Sequence, residues 1–139
     1  MRYGLLQLRT QLGERRLKLL YKYVIDGIPP SNNKYQGTGG KGKAFRYQEE
    51  KREWEMKVRV AVGRNKPKEP LSGVIVKHKY YFGDRRRRDP DNYSGKFLND
   101  GLVLAGVIED DSFNHIQLLT EGGHDKENPR VETYIYKEE

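Results

Sequence analysis

The chain has 139 residues and no cysteine, and its 27 lysines and arginines outnumber its 20 aspartates and glutamates. This length supports one compact core, and a net charge of +7 favours a polyanionic partner such as nucleic acid. The lack of cysteine excludes disulfides and thiolate zinc sites and is typical of a reducing compartment. No apolar run approaches the roughly 20 residues of a membrane span and no signal peptide is recognisable, so we expect a cytoplasmic protein without a membrane partner.

The N-terminal segment, residues 1–20, is basic and carries scattered leucines. Leu5, Leu8 and Leu12 lie on one face of a helix, which predicts a short amphipathic helix. The alternative is an extension that docks loosely on the rest of the chain. We therefore divide the chain into an N-terminal extension and a single domain over residues 21–139.

A polar, glycine-rich and basic loop is predicted after the first strand. Residues 21–28 are rich in β-branched and aromatic side chains and predict that strand, which a pair of prolines ends. The stretch from Gly37 to Lys43 has the glycine and lysine spacing of a P-loop, but Ala44 stands where that motif needs a hydroxyl, so no nucleotide cofactor is expected. We interpret the loop as one that wraps phosphates, with a solvated linker as the alternative. Its candidate DNA-binding residues are Asn32, Asn33, Lys34, Lys41 and Lys43.

One helix and one strand are predicted next. Residues 44–62 are dominated by glutamate, lysine and arginine and predict a helix that ends at Gly63, with Trp54 as a core anchor. Residues 73–82 alternate between apolar and polar side chains and predict a strand. His78 falls on the more apolar face of that strand. Because no second histidine stands at a metal-ligand spacing, we interpret His78 as a structural residue.

Four consecutive arginines form the most distinctive stretch of the chain. Guanidinium groups repel one another without an anionic partner, and their planar forks match phosphate oxygens in pairs. The following Asp89-Pro90 pair is a helix-start signal, so a helix is predicted from Pro90 to about Ala105 with Gly106 as its stop. The candidate phosphate ligands are Arg85, Arg86, Arg87 and Arg88.

Two carboxylates, Asp89 and Asp91, fall at this predicted helix start. The helix dipole favours the ionised form of a carboxyl group there, and ionised carboxylates are ligands for magnesium. A phosphate-binding loop beside metal-binding carboxylates fits phosphodiester hydrolysis. The alternative is that Asp89 only caps the helix and Asp91 only complements its dipole.

A third carboxylate would complete such a site, and the triplet Glu109-Asp110-Asp111 supplies candidates. The predicted helix is about 24 Å long, and the six residues from Gly106 to Asp111 span at most about 20 Å, so closure is tight. Closure requires a helix that ends near Gly101, a segment that runs straight back along it, or acids from a partner subunit. A solvated acidic turn is the alternative.

Lys96 follows Asp91 by five residues and falls inside the predicted helix. It could contact the scissile phosphate or stabilise charge in the transition state. A surface ion pair with Asp100, four residues on, is an equally good interpretation.

Two more strands are predicted near the C-terminus, over residues 114–120 and 130–137, and a hairpin-like pairing between them is expected. His115 and His124 are interpreted as polar strand-end or loop residues, since carboxylates suit magnesium better. The fold class is therefore α+β, with about four strands in a mixed sheet and two main helices packed on it.

Three stretches of the chain together resemble the RusA family of Holliday junction resolvases: residues 29–33, the run from Asp84 to Asn92, and the run from Ala105 to Asp111. The resemblance covers about Tyr21 to the C-terminus. It implies a small homodimeric, magnesium-dependent endodeoxyribonuclease, often encoded by phages and prophages, that resolves four-way DNA junctions by paired symmetric nicks in recombination and repair. Manganese is the expected substitute for magnesium.

The resemblance also implies roles for individual residues. The metal-binding acids of the family fall on Asp89, Asp91 and Asp111, with Asp110 beside the last of them, and its active-site lysine falls on Lys96. A homodimer suits the task, because a two-fold axis places one site on each of two related strands.

Two other functions are compatible with this sequence. One is a protein of the same fold that binds structured DNA and whose acids are only structural. The other is a less selective nuclease that acts on flaps, other branched DNA or ordinary duplex.

Overall fold

The computed structural model describes residues 5–10, 13–35 and 41–139. They form a five-stranded mixed sheet with two α-helices. The strands are β1 (Leu5–Thr10), β2 (Gly13–Asp26), β3 (Val74–Phe82), β4 (Ile116–His124) and β5 (Arg130–Glu138), and the helices are α1 (Lys41–Val62) and α2 (Lys96–Leu104). The predicted α+β class is confirmed, with β2 to β5 as its four strands and β1 added at one edge.

The strands lie in the order β1-β2-β5-β3-β4. Neighbouring strands are antiparallel except β3 and β4, which run parallel because α2 lies between them in the chain. One large core joins apolar side chains of both helices to one face of the sheet, and a smaller cluster lies on the other face. Among the described residues no helix is long and apolar enough to cross a lipid bilayer.

The two helices pack closely against each other. A side-chain carbon added at Gly101 of α2 would lie 2.7 Å from Val58 of α1, so glycine at this position lets the two backbones approach. Trp54 is buried in the core, as predicted, and α1 ends at Gly63, which has a positive φ of 53°. Helix α1 begins at Lys41 rather than Ala44. The glycine-rich residues 36–40 of the predicted loop lie outside the described residues.

The helix predicted in the N-terminal extension is wrong where that segment is described, since Leu5–Thr10 and Gly13–Asp26 are strands. Residues 13–20 belong to the same strand as the start of the predicted domain. Leu17 is fully buried on the sheet face opposite Tyr23, because the pairing with β5 shifts between Leu19 and Tyr21. Backbone pairing of β1 with β2 therefore outweighs the weak helical spacing of Leu5 and Leu8, while Leu12 lies outside the described residues.

The helix predicted from Pro90 to Ala105 is also wrong at its start. Pro90–Asn92 forms a short 3₁₀ turn, and α2 begins only at Lys96. Asp89 stands before the turn without a side-chain capping hydrogen bond, so the helix-dipole reason for its ionised state does not apply. Gly95 separates the two elements with a φ of +72°. The predicted stop at Gly106 is confirmed by its φ of +80°.

The hairpin predicted between the last two strands does not form. Strand β4 pairs with β3 in parallel, and β5 pairs with both β3 and β2 in antiparallel. Strand β3 is the most apolar strand, and its position between two neighbouring strands removes the most apolar surface from water. His78 and four apolar residues are buried along it.

His78 lies buried where β3, β5 and the start of α2 meet. Its Nδ1 lies 2.8 Å from the Thr133 hydroxyl, and its Nε2 lies 2.7 Å from Oδ1 of Asn99. The amide group of Asn99 donates to the carbonyl of Ser94, which leaves Oδ1 as the acceptor for the imidazole. The prediction of a structural histidine is therefore confirmed.

Acid should destabilise the fold through His78. Burial lowers the pKa of His78 from its ordinary value of 6.5 to about 4, so the unfolded chain binds a proton that the folded chain rejects. Stability from this group is complete above pH 6.5 and is lost as the pH falls towards 4. We expect the free energy of unfolding to fall by about 2 kcal/mol between pH 7 and pH 5. Urea unfolding across this range measures it.

The matched control removes another imidazole from the chain. His124→Gln, at the exposed end of β4, should keep the pH dependence of native protein, whereas His78→Gln should remove most of it. Equal pH slopes in the two variants would assign the effect to another group.

Candidate functional site

The arginine loop, residues 84–89, is arranged around Asp84. Its carboxylate accepts hydrogen bonds from the backbone N–H of Arg86 at 3.0 Å and from the Arg88 guanidinium at 2.8 Å. These bonds hold the pKa of Asp84 well below its ordinary value, with Arg88 as the main cause. Arg88 also stacks on the ring of Phe82, 4.3 Å from its centroid. Arg88 therefore positions the loop from the side of the sheet.

Arg85 and Arg87 point away from this structural core of the loop. Arg87 has 89% of its side chain exposed and pairs only loosely with Asp89, at 3.4 Å. Arg85 is exposed and makes no ion pair within the described part of the chain. The Arg86 side chain is also 80% exposed and pairs with Asp84 at 3.3 Å, so a phosphate can reach all three guanidinium groups without displacing a buried contact.

A polar hollow of about 430 Å³ lies beside the arginine loop. Its lining residues are Ser31, Arg87, Arg88, Asp89, Asn92 and Tyr93. Two of these, Ser31 and Tyr93, also line a second cleft of about 310 Å³, which we call the tyrosine cleft. The hollow and the cleft are therefore neighbours that share one wall.

The tyrosine cleft ends at Lys96, in the first turn of α2. Lys96 Nζ lies 3.0 Å from Asp100 and 3.8 Å from Asp111, and Asp100 also lies 3.8 Å from Lys51 on α1. We call these four residues the lysine–carboxylate network. Asp100, then Asp111 and Tyr47, raise the pKa of Lys96, so its ammonium stays charged. The predicted pair with Asp100 forms, and it does so at the edge of a cleft.

Asp111 reaches Lys96 because α2 is short. A helix of nine residues is about 14 Å long, so the connection after it travels back much less than the predicted helix required. Val107 and Ile108 of that connection are fully buried. The Val107 carbonyl accepts a hydrogen bond from the Leu71 N–H, and the Glu109 N–H donates to the Leu71 carbonyl, which fixes the direction of the connection. The late start at Lys96 therefore lets Asp111 reach the first turn of α2, but it does not gather Asp111 with Asp89 and Asp91 among the described residues.

The three predicted metal-binding acids are not gathered into one group. Asp89 pairs with Arg87, Asp91 is exposed on the 3₁₀ turn, and Asp111 contacts Lys96. Their carboxylate chemistry fits magnesium. Across residues 5–10, 13–35 and 41–139, however, no three histidine, aspartate or glutamate side chains form a group that could hold a metal ion.

Asp110 accepts hydrogen bonds from the two residues that follow it. The backbone N–H of Asp111 and the hydroxyl of Ser112 hold the pKa of Asp110 below its ordinary value. Its exposed carboxylate thus caps the connection before β4.

The predicted DNA-binding residues after the first strand have different surroundings. Asn32 donates to the carbonyl of Asp91 at 3.1 Å and accepts from the Ser94 hydroxyl at 3.2 Å, so it ties this segment to the 3₁₀ turn. Lys34 pairs with Glu50, which raises the pKa of Lys34, and Asn33 is exposed. Lys41 and Lys43 lie in the first turn of α1.

The sequence indicated neither Lys51 nor Tyr80 as a site residue. Lys51 is 49 positions from Asp100 and joins it only because α1 packs on α2, so no local pattern indicates the contact. Tyr80 lines the tyrosine cleft from β3. It lies on the same face of β3 as His78 and is buried.

A scan against protein-family models found no match to this chain, and a search of curated proteins found none either.

Gly95 should be required for the site to form. Its φ of +72° disfavours any other residue, and an added carbon would lie 2.7 Å from the His78 ring and 3.3 Å from the Tyr80 hydroxyl. Gly95→Ala should lower the free energy of unfolding by about 1–2 kcal/mol for the backbone conformation and by about 1–3 kcal/mol more for the clash. Urea unfolding measures the total.

Gly73→Ala is the matched control, because Gly73 has a φ of +69° and nothing lies within 4 Å of the added carbon. It should show the backbone cost alone. An equal loss of stability in both variants would mean that the contact between Gly95 and His78 is not tight in solution.

Proposed function

We propose that this protein is an endodeoxyribonuclease that resolves four-way DNA junctions by paired symmetric nicks, as a homodimer and with magnesium. The resemblance of its central stretch to the RusA family supports this function. The charge of +7 and the arginine loop support a polyanionic substrate.

One observation carries the proposal. Lys96 and Asp111, which the resemblance names as active-site residues, lie 3.8 Å apart although 15 positions separate them. They meet at the edge of a cleft whose wall adjoins the polar hollow under the arginines. The arginine loop and the Lys96 ammonium therefore line neighbouring hollows of the surface, and the Asp111 carboxylate lies beside that ammonium.

We assign the following roles to the residues of the site. Arg85 and Arg87 would bind substrate phosphates, while Arg88 and Asp84 hold the loop in shape. The Lys96 ammonium would neutralise charge on the reacting phosphate. Asp89, Asp91 and Asp111 would hold magnesium, which when bound supplies Lewis-acid stabilisation of the phosphodiester.

A second function is favoured by one specific observation. The three acids are not gathered, and two of them are paired with basic side chains of the same chain. This arrangement suits a protein that binds structured DNA without cutting it. Cleavage in the presence of magnesium separates the two functions.

Magnesium-dependent nicking should depend on Asp91. Asp91→Asn should bind a labelled four-way junction within about twofold of native affinity, because the exposed side chain supports no core contact. Nicking should fall by at least about 100-fold, since even indirect supports of a metal ligand contribute 10- to 100-fold. Strand products on a denaturing gel, with magnesium and then with EDTA, measure this.

Linear duplex at equal concentration and the variant Glu53→Gln are the controls. Glu53 is exposed on α1, and Glu53→Gln removes one negative charge, as Asp91→Asn does. Junction binding without nicking by native protein in any divalent metal would reject the nuclease in favour of the DNA-binding protein. Undiminished nicking by Asp91→Asn would remove Asp91 from the metal site.

The exposed arginines should account for a measurable part of the salt dependence of binding. Replacing both Arg85 and Arg87 with alanine removes two phosphate contacts, and each contributes about 0.9 to the slope of log affinity against log salt concentration. We therefore expect this negative slope to become shallower by about 2. Fluorescence anisotropy with a labelled junction, at salt concentrations between about 50 and 200 mM, measures this slope.

The matched control replaces Arg64 and Lys68, which are exposed in the connection between α1 and β3. This variant loses the same net charge away from the arginine loop and should keep the native slope. An equal decrease in both variants would mean that total charge, rather than the arginine loop, sets the affinity.

A further inference from the structure

The tyrosine cleft has a lining unlike that of the polar hollow beside it. Two aromatic groups contribute to it, one built from Tyr35, Tyr47 and Phe97 and the other from Tyr80 and Tyr93. Within the first group, ring centroids of Tyr35 and Tyr47, and of Tyr47 and Phe97, are 5.2 Å apart. In the second, the rings of Tyr80 and Tyr93 are also 5.2 Å apart. These packed rings form a rigid apolar lining.

One residue of the cleft lining, Tyr80, carries a polar atom without a partner among the described residues. The Tyr80 hydroxyl is buried and is the one buried side-chain polar atom without a hydrogen bond within the described residues. It lies beside Gly95, which also lines the cleft. A buried donor left unpaired costs about 1–3 kcal/mol, so its presence calls for an explanation. Burial and the neighbouring Tyr93 raise the pKa of Tyr80, so the hydroxyl remains a donor.

The edge of the cleft supplies charge and further polar groups. Lys96 stands at its rim, and Ser31, Asn32 and Ser94 contribute hydroxyl and amide groups to its lining. The shared wall of Ser31 and Tyr93 leads directly into the polar hollow with Arg87. An apolar slot next to a cationic hollow matches the two halves of one nucleotide, a flat base and its phosphate.

We propose that the tyrosine cleft binds one unpaired nucleobase of the DNA substrate, with its flat face on the tyrosine rings and a polar edge atom accepting the Tyr80 hydroxyl. The adjoining phosphate lies in the polar hollow. This inference rests on the proposed function in requiring a DNA substrate, but it does not require cleavage. It identifies unpaired nucleotides at the branch point as the part of the junction that the protein recognises.

Tyr80→Phe is a clean test of the proposal. It removes only a hydroxyl to which no group of the described residues bonds, so stability should be native or slightly higher. The DNA probe is a four-way junction with one unpaired nucleotide at its centre. The comparison probe carries an abasic sugar at the same position. Both are titrated in EDTA, where no metal-dependent cleavage occurs.

Native protein should bind the junction with the base about 5- to 100-fold more tightly than the abasic one, which is the contribution of stacking one base. Tyr80→Phe should reduce this ratio by about 2- to 10-fold and leave the abasic affinity unchanged. Tyr47→Ala, which removes a stacking ring, should bring the ratio close to one. Tyr136→Phe, on the opposite face of the sheet, is the matched control and should behave as native.

The outcomes separate the two proposals. Equal native affinity for both probes would overturn the nucleobase site and leave the junction-binding function standing. A base-dependent affinity without nicking in magnesium would support the nucleobase site and reject the nuclease. No binding to either probe would overturn both proposals.

Discussion

The site depends on the contact between Gly95 and the buried imidazole of His78. His78 joins β3 to β5 through Thr133 and to α2 through Asn99, and its ring leaves no room for a side chain at position 95. The positive φ of Gly95 ends the irregular segment after the 3₁₀ turn and lets α2 start at Lys96. Because α2 starts there, Lys96 lies at the edge of the cleft and within reach of Asp111.

Local patterns in the sequence were sufficient to predict features that are set by residues close together in the chain. The alternation along β3 predicted its buried face, including His78, and the glycines at positions 63 and 106 marked the ends of both helices. The start of α2 was mispredicted because Asp89-Pro90 is a good local start signal that a distant contact overrides. The pairing of β4 with β3 failed for the same reason, since neither strand alone records which neighbour lies beside it.

The candidate site was predictable to the extent that its residues are close in sequence or belong to a recognisable motif. The arginine loop and Asp111 were indicated in this way, whereas the role of Lys51 depends on the packing of α1 on α2. The unpaired hydroxyl of Tyr80 had no signal at all, because being unpaired is a property of its surroundings. A sequence therefore indicates charged groups of a site more readily than its apolar walls.

Two carboxylates of the candidate site are each paired with a basic side chain of the same chain. Asp89 is paired with Arg87, and Asp111 with Lys96, in the region where DNA would bind under the proposed function. A phosphate that approaches Arg87 and Lys96 competes with these carboxylates for the same cations. Under the proposed function, substrate binding would free both acids while adding negative charge beside them. Divalent-cation affinity at the site should then increase when DNA is bound, because the cation becomes the remaining source of neutralising charge.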